Sequence, residues 1–257
     1  MVPDRPNVDD PGRMIAHRGA SQVAPENTLA AVRAAAAMGV YWVECDVTLL
    51  GDGTPVIHHD ATLDRCTTGT GPLSALAAED LVGVAAGKGH EPQFADEPVP
   101  TLEQLLDTLE ALEFHANIEI KRHAAPLGAT AACVAEALSA RPWTARRIIV
   151  SSFDMGELAE MRALMPDQPL AGLWPKPPTD WRAILDDLRA AALHINYRHL
   201  SQSLLTEATS FGFDVRVYTI NLPNLMVPFR AFGLTGVITD HPPLFLEDAS
   251  WASWAAG

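Results

Sequence analysis

Cysteine is scarce, with three in 257 residues at positions 45, 66 and 133. They form no CxxC pair and no Cys/His spacing that suits zinc, so a disulfide framework and a structural zinc site are both excluded. Long apolar runs are also missing, and nothing approaches the roughly 18 uncharged residues of a membrane-crossing helix. The leading MVPDRPNVDDPGR carries acids and prolines but no apolar signal core, so the expected location is cytoplasmic, with no stable membrane association. Basic residues are few: 18 Lys and Arg stand against 32 Asp and Glu, for a formal net charge of −14. That balance supplies no electrostatic footprint for a nucleic-acid backbone, which removes nucleic acid as a partner. A phosphate group must then be met by a few local cations or by a metal.

Apolar residues are plentiful at 48%, and the length suits one α/β barrel, so a single domain over residues 1–257 is expected. Short β-prone runs alternate with Ala/Leu-rich helical stretches from end to end, the pattern of repeated βα units around a parallel sheet. Eight strands are read at 14–18, 41–46, 116–121, 147–152, 169–174, 192–197, 214–220 and 236–240. Helices are read at 26–38, 101–112, 127–140, 155–164, 180–190, 202–210 and 224–232. Eight such strands close into a TIM (β/α)8 barrel. One run breaks the rhythm: VTLLGDGTPVIHHD reads as a β-hairpin extending from strand two, with Asp52-Gly53 as its turn signal. A two-residue turn sets Asp46 opposite His59, whereas a three-residue loop sets His58 there. Residues 62–97 are too long for an ordinary βα loop and read as a small insertion on the catalytic face.

The active face of such a barrel lies at the C-terminal strand ends, and several of these ends are charged. Strand one ends in His17, Arg18 and Gly19. Strand two ends WVECDV, where alternation puts Glu44 and Asp46 on the inner face and Val43, Cys45 and Val47 toward the helices. Strand three reads NIEIK, which points Glu119 and Lys121 inward. Carboxylates so close repel unless a cation sits among them, and an all-oxygen set suits Mg2+ or Ca2+. Simple ion pairing of Glu119 with Lys121 or Arg18 is the structural alternative. Two imidazoles, His17 and His59, suit proton transfer near neutral pH, while Arg18 and Lys121 suit an anionic phosphoryl centre. Together these groups describe phosphodiester cleavage.

The ordered motifs HRGA, APENT, ECD, HHD, NIEIK, SSF, VYTIN and GVITD run from about residue 14 to 240. In that order they resemble the bacterial glycerophosphodiester phosphodiesterase family, particularly its cytosolic members. The resemblance implies a phospholipase C-like TIM barrel with a small insertion. It also implies a divalent cation, a small-molecule glycerophosphodiester substrate, and hydrolysis to glycerol 3-phosphate and an alcohol. Carried over by motif, His17 and His59 become the acid–base pair, Glu44, Asp46 and Glu119 the metal ligands, and Arg18 and Lys121 the phosphate ligands. The family motif of His followed directly by Asp selects His59, before Asp60, over His58.

Weaker signals remain beside these. Glu26 and Asn27 of PENT either support the site or merely begin a helix. His194 and Asn196, and Tyr218 and Asn221, either touch substrate or fill the barrel mouth. The GKGHEP segment at 87–92 lacks a P-loop's spacing. Trp251 and Trp254 either pack under the barrel or form an oligomer contact. Two rival functions use the same barrel: a lysophospholipase D-type lipid phosphodiesterase, which needs an apolar approach surface, and a noncatalytic phosphodiester-binding protein, which commonly lacks a metal or acid–base residue.

Overall fold

A computed structural model describes residue 8 and residues 12–251. Strands β1 (Met14–His17), β2 (Trp42–Leu49), β4 (His115–Ile120), β5 (Ile148–Ser152), β6 (Leu170–Trp174), β7 (Ala192–Asn196), β8 (Asp214–Tyr218) and β9 (Gly236–Thr239) pair in parallel. The β1–β2 pairing, with His17 beside Glu44, closes the sheet into an eight-stranded barrel. Strand β3 (Pro55–Ile57) pairs antiparallel with β2 and stands outside the ring. Helices α1 (Leu29–Ala37), α2 (Leu102–Ala111), α3 (Ala129–Ser139), α4 (Thr144–Arg147), α5 (Met155–Leu164), α6 (Trp181–Asp187), α7 (Gln202–Ser210) and α8 (Pro242–Leu246) complete the βα units. The TIM barrel read from the alternation is the observed architecture.

The helices form where pattern and capping agree. In α2, Leu102, Leu105, Leu106 and Leu109 make one buried stripe, and Thr101 and Gln104 close a reciprocal capping box. Each such buried leucine contributes about 1.5–3 kcal/mol of apolar burial. Val43, Cys45 and Val47 of β2 join this outer core between sheet and helices, which leaves Glu44 and Asp46 on the inner face. Lower in the barrel, Ile15, Trp42, Ile149, Ala171, Ala192 and Ile238 fill the interior. Arg216 is fully buried there, lies 5.4 Å from the Trp42 ring, and donates to His194 Nε2 at 3.3 Å. His194 is thus filling, and burial together with Arg216 drives its pKa down and keeps it neutral. Trp251 packs edge-on against Phe245 within the described core, whereas Trp254 lies outside the described residues.

Two local expectations are corrected. The hairpin pairs Val47 with Ile57 and Leu49 with Pro55, and Leu50 N–H donates to Thr54 O, leaving a three-residue loop of Gly51, Asp52 and Gly53. Asp46 therefore stands opposite His58, whose N–H donates to Asp46 O at 3.0 Å, and the two-residue turn is wrong by one position. The loop wins because Gly53 takes a left-handed φ of 89°, while Asp52 accepts from Thr54 N and Ala78 N. Residues 224–232 form short 3-10 turns at Pro223–Leu225 and Val227–Phe232 rather than an α-helix. Pro228 removes an N–H that an α-helix would need at that point.

Leu63, Leu73 and Ala86 of the insertion form a small core with Leu50 and Val56 of the hairpin and with Val99, which follows the insertion. Its attachment runs through Gly51, whose N–H donates to Leu73 O and Leu76 O. A Cβ at Gly51 would lie 2.4 Å from the Ser74 carbonyl oxygen. Gly51→Ala is expected to destabilise by about 1–3 kcal/mol through this overpacking. Denaturant melts of the two proteins check this, and an unchanged midpoint would contradict it.

Candidate active site

The site is assembled from strand ends and the loops that follow them. After β1 the chain turns sharply, with Arg18 at φ 57° and Gly19 at φ 78°. A positive φ is uncommon for arginine, and here it aims the Arg18 N–H at Glu44 Oε2, 3.1 Å away. Asn27, also at φ 57°, sends its N–H to Arg18 O. Its side chain brackets Asp46, donating to Oδ2 at 2.8 Å and accepting from the Asp46 N–H at 3.1 Å. Residues 26–27 therefore precede the helix, which begins after the Thr28 cap, and the PENT segment braces the site.

Glu44, Asp46 and Glu119 are buried, and one ligand oxygen from each lies within 4.8 Å of the others. Lys121 Nζ lies 3.2 Å from Asp46 Oδ1 and also pairs with Glu119, while Arg18 Nε lies 3.4 Å from Asp46 Oδ2. Ion pairing is thus present, yet it is concentrated on Asp46. Burial opposes ionisation of Asp46, but Lys121 and Arg18 outweigh it and hold the carboxyl at about 2. Burial and then Asp46 push Glu119 up to about 7, and burial with Asp46 and Glu119 raises Glu44 well above the carboxylate range. Glu44 Oε1 is buried with no hydrogen-bond partner. Three hard oxygen donors, one of them unpartnered and two resisting ionisation, fit a cation at their centre.

Two histidines face this cluster, each held from behind by an acid. His17 Nδ1 lies 2.6 Å from Asp240 Oδ1, and His17 Nε2 lies 3.8 Å from Glu44 Oε2. Asp240 is fixed in turn by Asn221 at 2.9 Å, and despite its burial the His17 hydrogen bond holds it at about 2. His59 Nδ1 lies 2.6 Å from Asp60 Oδ1. An ionised carboxylate can only accept, so each imidazole carries its proton on Nδ1 and is left with Nε2 for chemistry. Burial, partly offset by Asp46, lowers the His59 pKa. His58, despite its place opposite Asp46, turns away and bonds the Thr62 carbonyl through Nε2 at 2.9 Å.

His17, Arg18, Glu44, His59, Glu119 and Lys121 line one cavity of about 160 Å3, with Asp46 buried beneath them. The seven side chains singled out in the sequence are gathered at a single mouth. Phe153, Leu173, Tyr218 and Ile238 supply the apolar wall, and Lys121 Nζ lies 5.4 Å from the Phe153 ring. Buried Asn117 Oδ1 and Tyr218 Oη are polar and unpartnered within this lining. Sequence reasoning gave no role to Asp240, Asp60, Asn117 or Arg65. The adjacency of Asp60 to His59 was a usable signal, and so was GVITD ending a strand beside strand one. Asn196 caps a 3-10 turn instead of joining the site.

The pattern of the Glycerophosphoryl diester phosphodiesterase family matches residues 17–244. A glycerophosphodiester phosphodiesterase of Caldanaerobacter subterraneus is 30% identical over 235 residues, which span 91% of this chain and 96% of the relative. One from Bacillus subtilis is 30% identical over 261 residues, covering 93% and 87%. A phosphodiesterase structure from Oleispira antarctica, in complex with its product sn-glycerol-3-phosphate, superposes with a TM-score of 0.86 at 31% identity, covering 95% of this chain and 97% of that one. With matches of this extent laid over the buried acids and paired imidazoles, the chain belongs to the glycerophosphoryl diester phosphodiesterase family.

Proposed function

We propose that this site hydrolyses glycerophosphodiesters to sn-glycerol 3-phosphate and an alcohol. The observation that carries the reading is the convergence of three buried carboxylates, two partly exposed cations and two acid-held imidazoles around one small cavity. Family membership and the product complex of the Oleispira antarctica relative support the same chemistry.

Glu44, Asp46 and Glu119 would hold a divalent cation, Mg2+ or Ca2+, whose chemistry is to polarise a phosphoryl oxygen. Arg18 and Lys121 bind the phosphate, and their fixed charge is matched to the negative charge that grows on its oxygens in the transition state. His17 and His59 form the acid–base pair. The neutral imidazole of the pair takes the proton from the attacking oxygen on its Nε2, and the other, entering the step as imidazolium, delivers its Nε2 proton to the departing alcohol. Asp240 and Asp60 keep the tautomers correct and stabilise the imidazolium as it forms. A cavity of about 160 Å3 suits a small head group better than a lysolipid's acyl chain. The three unpaired cysteines suit the cytoplasmic setting read from the sequence.

Incubation with a panel of glycerophosphodiesters should release sn-glycerol 3-phosphate, and excess chelator should abolish the release. Full activity in chelator would contradict the carboxylate assignment. Oligonucleotides should be turned over negligibly, because a chain of net charge −14 offers no surface for the neighbouring phosphates. Equal rates on glycerophosphoethanolamine and on an oligonucleotide would refute the substrate class.

His17→Ala and His59→Ala are each expected to lower kcat by about 100-fold or more with the fold retained. His58→Ala should cost far less, since that ring is committed to the Thr62 carbonyl. Steady-state kinetics of the three variants check this, and a His58 loss equal to that of His59 would show the wrong imidazole to have been chosen.

A further inference from the structure

Arg65 comes from the insertion rather than from any barrel strand, yet it reaches both flanks of the site. Its Nε donates to Asp60 Oδ2 at 2.6 Å, and its NH1 and NH2 donate to Glu26 Oε2 and Oε1, each at 2.7 Å. Asp60 is the acid behind His59, and Glu26 Oε1 also accepts from Arg18 NH1 at 2.7 Å. A single guanidinium thus connects the hairpin side of the mouth to the β1 side. Only the planar fork of arginine can serve a carboxylate with two donors while a third donor serves another acid.

The turn that carries Arg65 is itself fixed. Leu63 is buried in the insertion core, and the Thr67 N–H and Oγ1 both donate to Leu63 O. Asp64 accepts from Gly71 N through its side chain, and its carbonyl accepts from Lys88 Nζ. The Arg65 side chain is nearly half exposed, at 47%. Ion pairs at such exposure contribute little to stability. Holding the fold together is therefore a poor account of an arrangement with three charge-assisted hydrogen bonds. Orientation is a better one, since a displacement of about 1 Å at a reacting group can cost roughly 100-fold in rate.

We propose that Arg65 is a positioning residue: it holds Asp60 behind His59 and Glu26 behind Arg18, so the insertion sets the geometry of the acid–base imidazole and the phosphate-binding guanidinium together. This inference rests on the proposed function. It also gives the insertion a role in turnover rather than in shielding alone.

The test compares wild-type protein, Arg65→Ala, Asp60→Asn and the double variant with glycerophosphoethanolamine as substrate, alongside thermal midpoints and histidine 15N shifts. The expected result for Arg65→Ala is a kcat lower by about 10- to 100-fold, with KM within about threefold and the midpoint little changed. The Nδ1-protonated tautomer of His59 should lose population. Methylguanidinium should restore part of the rate, and the double variant should lose much less than the product of the two single losses. Arg65→Gln keeps the side-chain stem and should show the same kcat loss even where the alanine variant loosens the turn. Wild-type kcat in Arg65→Ala, a loss confined to KM, or independent losses in the double variant would overturn the positioning role. An inactive wild-type protein would instead overturn the proposed function, and the His59 tautomer shift would then stand as the separate measure of the clamp.

Discussion

The structure turns on the cost of placing three carboxylates inside a barrel. At an effective dielectric of about 20, two unit charges closer than 5 Å repel by roughly 3 kcal/mol or more. Three such pairs rival the whole stability of a domain, about 5–15 kcal/mol. The chain answers by committing cations to the pocket floor. Lys121 and Arg18 converge on Asp46, Asn27 donates to it, and the Arg18 backbone N–H serves Glu44. These groups do not balance the set, because Glu119 and Glu44 still resist ionisation and one Glu44 oxygen is unpartnered. The remaining deficit is the reason the cluster is suited to a cation, and to an anionic substrate that meets that cation.

Barrel geometry makes this concentration of charge possible. Alternation along β2 and β4 directs every second residue inward, and parallel pairing sets Glu44 beside Asn117 and Asp46 beside Glu119 at the same height. The outward residues between them build the apolar core, so function and stability occupy opposite faces of the same strands. The loops then supply what strands cannot: a strained turn that aims Arg18, a bracket at Asn27, and the acids that hold each imidazole.

The strands and the charged side chains at the ends of the first three of them were legible because their signals are local, whereas His59 was distinguished from His58 only by the family resemblance. Alternation places Glu44 and Asp46, NIEIK places Glu119 and Lys121, and the strand end places His17. The hairpin register was not legible in the same way. Asp52-Gly53 favours a tight turn by composition, but contacts from Leu73, Leu76 and Ala78 of the insertion settle the longer loop. Those contacts are tertiary, and no dipeptide preference reports them. His59 nevertheless reaches the cavity, because β3 ends at Ile57 and strict pairing no longer governs the two histidines that follow. Asp240 and Arg65 escaped notice for a related reason: each matters through a partner 223 or 39 residues away, His17 for one and Glu26 for the other.

Calorimetric titration of the metal-free protein with Mg2+ and with Ca2+ tests the central claim, that the buried carboxylates are matched to a cation. The account predicts one binding event per chain for at least one of the two ions, and its loss in Glu44→Gln and Asp46→Asn variants that keep the wild-type fold. Binding of equal strength in those variants, or none in the wild-type protein, would contradict it.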